Sequence, residues 1–364
     1  MILVLADDLS GAAEMAGIAF AHGLTAAVQT EFNARTEVEV VCLDTNTRQL
    51  PPAEAATVLR RSSRKLLAAR PKWIFKKTDS ALRGNIAAEL NALLDITARP
   101  QALFVPANPS RGRVIRDGEY FIDDTPLHET DFAQDPHHPA ITAAVAERLG
   151  HDPAFLIPNI ASAAEVHAAA QSVDDLVLPA GAGDFFAALL EARGHDATPV
   201  EFAPATSPAL FVCGSLTAWG RGRPAQCDLH GVPVCVMPPE LLGQSEHPAA
   251  LHEWVQTTCA ALANHGAVML AIGRVKAINH APLLEARLAQ AMTMVLAQME
   301  VARVLLEGGA TASAAIRRLQ WKHLRAVHLA ALDLPGLCAS EDGPRVFLKP
   351  GSYDWPDSVW PAGG

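Results

Sequence analysis

Four short apolar runs in the first third of the chain each stop on a cluster of polar or charged residues. Residues 2–6 ("ILVLA") run into Asp7 and Asp8, and residues 38–43 run into Asp44. Residues 73–76 run into Lys77–Asp79, and residues 102–105 lead to the polar stretch from Asn108 to Arg113. The first run is continuous rather than alternating, the mark of a strand buried on both faces. Helix-like stretches separate the runs: one after Asp8 that Gly23 stops, one over 52–69, one from about 86 to 94. This alternation predicts an α/β fold with mostly parallel sheets. Such sheets place ligands outside the carboxyl ends of their strands, where these polar clusters collect.

Further along, "RDGE" reads as the turn of a hairpin between 114–115 and 120–122. A helix is expected over 141–149, strands at 155–158 and 176–178, and a glycine loop opening a helix at "PAGAGDFFAALLEARG". Composition turns to Pro, Ala and Thr near 195–207, which places a domain boundary there. The expected domains are 1–200 and 207–364, two α/β units flanking a cleft. The second unit reads as strands at 210–213, 232–237 and 268–272, a long helix over 280–300, and a closing strand in "RVFLKPGSYDW".

Composition narrows the function. The chain has 364 residues, 50% hydrophobic and 19% charged, with a net charge of -10. An acidic balance argues against nucleic acid or a membrane surface as partner. The six cysteines form no CxxC pair, which suggests free buried thiols in a reducing compartment. The absence of a basic leader or a spanning apolar run points to the cytoplasm. A homodimer is the default oligomer.

Several constellations could carry chemistry. Asp7 and Asp8 could bind hydroxyls, orient a lysine or accept a proton; a strand-end turn with helix-capping aspartates explains them equally well. "KKTDSALRGN" sets Lys76, Lys77 and Arg83 beside Asp79, Ser80 and Asn85. An arginine fork there suits a carboxylate, and a basic surface turn is the alternative. "NPSRGR" adds Asn108, Ser110, Arg111 and Arg113 at another strand end. "CGS" and "EGGATA" each join an apolar run to a helix, where free amides could cradle phosphate. "KPGSYDWP" adds Lys349, Gly351 and Ser352, or is a rigid terminal turn. No Walker A loop and no GxSxG elbow occur. His137 and His138 lack the spaced partners of a metal site, so no protein-held metal is expected.

Taken together, these motifs resemble the four-carbon acid sugar kinase family. "ADDLSGAAE" is similar to that family's ADDLTGA opening, and "FKKTDSALRGN" to its KKxDSTLRGN segment, with Ala81 in place of threonine. "PANPSRGR", "DGEYFIDDTPLHETDFAQDP" and "HHP" follow in the family's order, then "CGS", "EGGATA" and "KPGS". The resemblance implies an N-terminal domain for a small anionic sugar acid and a C-terminal domain for ATP with Mg2+. It implies phosphoryl transfer to a substrate hydroxyl. Carried over, Asp7, Asp8, Lys77, Asp79, Ser80 and Arg83 line the acid-sugar side, with Asn108 and Arg113 beside them. Gly214, Ser215, Gly308, Gly309, Thr311, Gly351 and Ser352 line the nucleotide side. Ala310 departs from the family's GGDTA, where an acid is usual. The expected mechanism has Arg83 and Lys77 holding the substrate carboxylate, and Asp8, or else Asp7, deprotonating the attacking hydroxyl. A non-catalytic sugar-acid sensor is the alternative.

Overall fold

The computed structural model describes residues 1–135, 137–198, 202, 206–274, 281–331, 334–349, 351 and 354–361. They fall into two compact units, residues 1–199 and 200–364.

The N-terminal unit opens with β1 (Ile2–Ala6), α1 (Leu9–Ala21), β2 (Ala26–Gln29), β3 (Val40–Asp44), α2 (Pro52–Ala68), β4 (Ile74–Lys77), α3 (Ile86–Thr97) and β5 (Gln101–Val105). A hairpin of β6 (Arg113–Arg116), β7 (Glu119–Ile122) and the short β8 (Thr125–Pro126) follows. The unit closes with α4 (Val145–Arg148), β9 (Phe155–Leu156), α5 (Ala163–Gln171), β10 (Val177–Gly181) and α6 (Gly183–Glu191). Its main sheet runs β2-β3-β1-β4-β10-β5-β9 with every pair parallel. The chain builds β3 on one side of β1 and β4 on the other. The strand order therefore reverses between β1 and β4, and the carboxyl ends of those strands carry Asp7–Asp8 and Lys77–Asp79.

Local chemistry explains these boundaries. Asp8 caps α1 by accepting from the Gly11 amide at 2.8 Å. Pro52 takes the first position of α2, where its missing N–H costs nothing. Asp117 and Gly118 both adopt positive φ, the geometry that joins twisted strands through a two-residue turn. The helix expected over 141–149 shrinks to α4. The Tyr120 amide donates to the Ala143 carbonyl and the Val145 amide to the Gly118 carbonyl, so this stretch pairs with the hairpin instead of coiling. The glycine loop expected before α6 is reduced to Ala182, because β10 runs through Gly181.

The C-terminal unit comprises β11 (Ala209–Cys213), α7 (Leu216–Gly220), α8 (Arg223–Leu229), β12 (Val234–Val236), α9 (Pro248–His265), β13 (Ala267–Ala271), α10 (Ala281–Leu296) and β14 (Arg303–Glu307). It ends with α11 (Gly309–Arg318), β15 (His323–Ala331), β16 (Leu334–Cys338) and β17 (Arg345–Lys349). Its strand order is β12-β13-β11-β14-β17-β16-β15, parallel as far as β17 and antiparallel beyond. Phe211 anchors its core, stacked on Trp360 at 4.9 Å and edge-on to Trp355 at 6.3 Å. No described helix is long and apolar enough to cross a membrane.

Candidate functional site

The strand ends of the N-terminal unit assemble a chain of opposite charges. Arg48, in the turn after β3, lies at its centre. Its Nε and Nη2 fork both oxygens of Asp7 at 2.8 and 2.9 Å, and its Nη1 reaches Asp8 at 2.7 Å and Asp79 at 3.5 Å. The Arg48 turn is itself fixed. The Thr47 and Arg48 amides donate to the Asp7 carbonyl, and the Asn85 side-chain amide donates to the Thr47 and Leu50 carbonyls. His138 Nε2 bonds the Arg48 carbonyl at 2.7 Å, so this histidine serves the turn.

Asp79 accepts a second fork, from Arg83 Nε and Nη2, both at 2.9 Å. Arg83 also reaches Asp135 at 3.4 Å and lies over the Phe132 ring. Lys77 pairs with Glu14 at 3.0 Å. Ser80 accepts from Arg113 through its hydroxyl, and its carbonyl accepts from the Tyr120 hydroxyl. The turn can pass this close only through Gly84. Its φ is +89°, and a Cβ there would sit 3.0 Å from an Asp7 oxygen.

These contacts push the two adjacent aspartates apart. Burial raises the Asp7 carboxyl, but the Arg48 fork outweighs it and holds Asp7 below its ordinary 3.8. Asp8 is raised: burial lifts it and the Asp7 charge adds to that, against the pull of Arg48. Asp79 lies well below the usual range, since Arg83 and Arg48 overcome its burial. Burial opposes the Lys77 charge, yet Glu14, Asp8 and Asp79 keep its pKa raised. Carboxylates set at different pKa values beside one another suit different roles in proton transfer.

Two expectations change here. Arg83 and Lys77 do not offer an open clamp for a substrate carboxylate, because Asp79 and Glu14 already fill them. Asn108, expected at the ligand, is 2% exposed and its Oδ1 accepts from the Asp184 amide, tying β5 to the start of α6. Arg48 and Glu14 were not singled out from the sequence. The visible signal for Arg48 was a cation at a strand end in the same unit as two adjacent aspartates.

In the C-terminal unit the three glycine motifs converge. A Cβ at Gly214 would collide with the Thr311 hydroxyl, and one at Gly351 with the Ser215 hydroxyl. Gly308, at φ +103°, lies within 3.6 Å of Ser215 by the same measure. Ser215 caps the start of α7 by accepting from the Ala218 amide. Gly309 and exposed Ala310 open α11, whose first-turn amides lack helical partners. Ser352 lies outside the described residues. Such packed glycines at a helix start can cradle phosphate oxygens. Beneath them Glu307 accepts a fork from Arg223 at 2.6 and 2.9 Å and an ion pair from Lys349 at 2.5 Å. Burial pulls the Lys349 pKa down against the opposing Glu307 charge.

A model of the sugar-binding N-terminal domain matches residues 2–184. The chain belongs to the four-carbon acid sugar kinase family. It is 35% identical over 180 residues to a D-threonate kinase of Bordetella bronchiseptica, a match covering 45% of this chain and 44% of that enzyme. In that pairing, then, the chain spans less than half of its relative. A D-threonate kinase of Cupriavidus necator is 27% identical over 414 residues, covering 99% of this chain and 96% of that enzyme. The crystal structure of Haemophilus influenzae protein HI1011 superposes with a TM-score of 0.72 at 20% identity, over 98% of each chain. That likeness concerns the fold alone.

Proposed function

We propose that this member of the family transfers the terminal phosphoryl group of ATP to a hydroxyl of a four-carbon sugar acid in the cytoplasm. The observation that carries this reading is the divergence of Asp7 and Asp8 around Arg48. Asp7, forked and acidic, is the anchor. Asp8 keeps one oxygen on the Gly11 amide and one on Arg48, and its raised pKa makes it the better proton acceptor. It would orient the attacking hydroxyl and take its proton as the new bond forms. Lys77 holds positive charge beside Asp8, and Ser80 and Arg113 offer polar contacts to the remaining hydroxyls.

The nucleotide phosphates fit the amides around Gly214, Ser215, Gly308, Gly309, Thr311 and Gly351, and the family adds Ser352. Magnesium bound with the nucleotide would neutralise the transferred charge. The residues of this chain contribute positioning and fixed dipoles, which account for most phosphoryl-transfer catalysis.

The test is ADP release from magnesium-ATP against D-threonate, D-erythronate and their 3-oxo forms, with a no-acceptor control. Acceptor-dependent release is expected, and a silent panel with folded protein would reject the reading. One observation favours a second reading, a sugar-acid sensor: Ala310 stands exposed where the resemblance leads one to expect an acid. ATP binding separates the two, since the sensor need not bind it.

A further inference from the structure

The charge chain around Arg48 raises a question of recognition. Its cations already face carboxylates: Arg48 faces Asp7 and Asp8, Arg83 faces Asp79, and Lys77 faces Glu14. An acid entering there would meet a crowd of like charge, which disfavours its ionised form. The preference for an acid over a neutral polyol must be set nearby but outside this chain.

A groove of about 580 Å³ is lined in part by the same turn, within the range of small-molecule sites. Leu82, Gly84, Asn85, Ile86, His138 and Arg148 are among its walls. Gly84 borders both, since it lines the groove and a Cβ built on it would lie 3.0 Å from an Asp7 oxygen. Arg148 Nη2 donates to the Leu82 carbonyl at 3.1 Å, while its buried Nε has no hydrogen-bond partner. An unanswered guanidinium donor costs free energy until an acceptor arrives. Burial lowers the Arg148 pKa, and Asp79 compensates only in part. The first turn of α3 also lines the groove, and Asn85 supplies no side-chain cap to it. Glu147 is the opposing charge in the lining, and the Thr142 hydroxyl donates to it at 2.9 Å.

We propose that this groove takes the carboxylate end of the acid acceptor, with Arg148 as the counter-ion that distinguishes an acid from a neutral polyol. The inference rests on the sugar-acid reading above and assigns a specificity residue to it. Leu82 adopts φ +58° in the turn between Asp79 and Arg83, so Arg148 also ties carboxylate binding to the turn that carries both.

Binding of D-threonate and of D-threitol, its neutral counterpart, to the full chain by calorimetry tests this. Wild type should prefer the acid. Arg148→Met should weaken D-threonate binding roughly 10- to 100-fold, the worth of a charged hydrogen bond, and leave D-threitol unchanged. Arg148→Lys, which keeps the charge, should recover part of the preference. If either folded variant lost affinity for acid and polyol equally, Arg148 would be structural and the proposal overturned. An Arg148→Met protein with undiminished acid preference would overturn it too, while leaving the kinase reading intact. Should D-threonate not bind, the same comparison is made with whichever acid of the ADP-release panel does; a wild type that binds none of them would sink both.

Discussion

The two units each place a carboxylate between two cations at parallel strand ends, and they use the arrangement differently. In the N-terminal unit the Asp8 and Arg48 side chains are each 18% exposed and Arg83 is 25% exposed. In the C-terminal unit Arg223 and Glu307 are each 1% exposed and Lys349 is 6% exposed. A partly exposed chain of pairs leaves its carboxylate oxygens within reach of a substrate hydroxyl. A sealed triad cannot offer its oxygens without leaving a charge uncompensated in a dry interior. The first arrangement is therefore suited to chemistry. The second is suited to holding β14, β17 and α8 together beneath the glycine loops.

The largest expected effect tests the open half. Asp8→Asn should lower turnover about 10²- to 10⁴-fold, the usual worth of a general base, with the fold intact. The wild-type rate should also rise with pH through the Asp8 pKa, since only the ionised form accepts a proton. Because that pKa is raised, the inflection should lie above the ordinary 3.8. Steady-state kinetics of ADP release across pH measure both. Unchanged turnover in the folded variant would move the proton acceptor elsewhere and leave the open cluster, like the sealed one, without a chemical role.

The sealed half should answer in stability. Glu307→Gln leaves Arg223 and Lys349 buried without their counter-charge, a loss expected at about 3–5 kcal/mol. Urea unfolding followed by tryptophan fluorescence measures it, since Trp355 and Trp360 pack in the same core. A change under 1 kcal/mol would show that the triad contributes no more than the weak pairs common at surfaces.

How much of this was legible in the sequence follows the same division. Asp7, Asp8, Asp79 and Arg83 announce themselves because continuous apolar runs end on them, and strand ends in parallel sheets gather. Gly214, Gly308 and Gly351 were legible for the same reason. Arg48 was not, because it sits in a polar turn whose partners lie some 40 residues away in sequence. Glu307 reads as a plain strand end until the fold brings Arg223 from 84 positions away to meet it. Such long-range pairs leave no local pattern. The helix expected over 141–149 failed similarly: its local propensity was overridden by backbone pairing with the hairpin around Gly118.

The smallest expected effect concerns acid. Asp79 and Asp7 have folded pKa values below their ordinary 3.8. Their stabilisation is therefore complete above that value and is lost as pH falls from it through the depressed folded values. Asp8 works the other way. Its folded pKa is raised, so ionising it opposes folding increasingly as pH climbs from 3.8 through the folded value. The two trends partly cancel in the wild type. Asp8→Asn removes only the opposing one, so its urea midpoint should gain on the wild type as pH climbs through the raised Asp8 pKa. A constant difference between the two proteins from pH 3 to pH 7 would mean that Arg48 serves Asp7 and Asp8 alike, and that the open cluster is as settled as the sealed one.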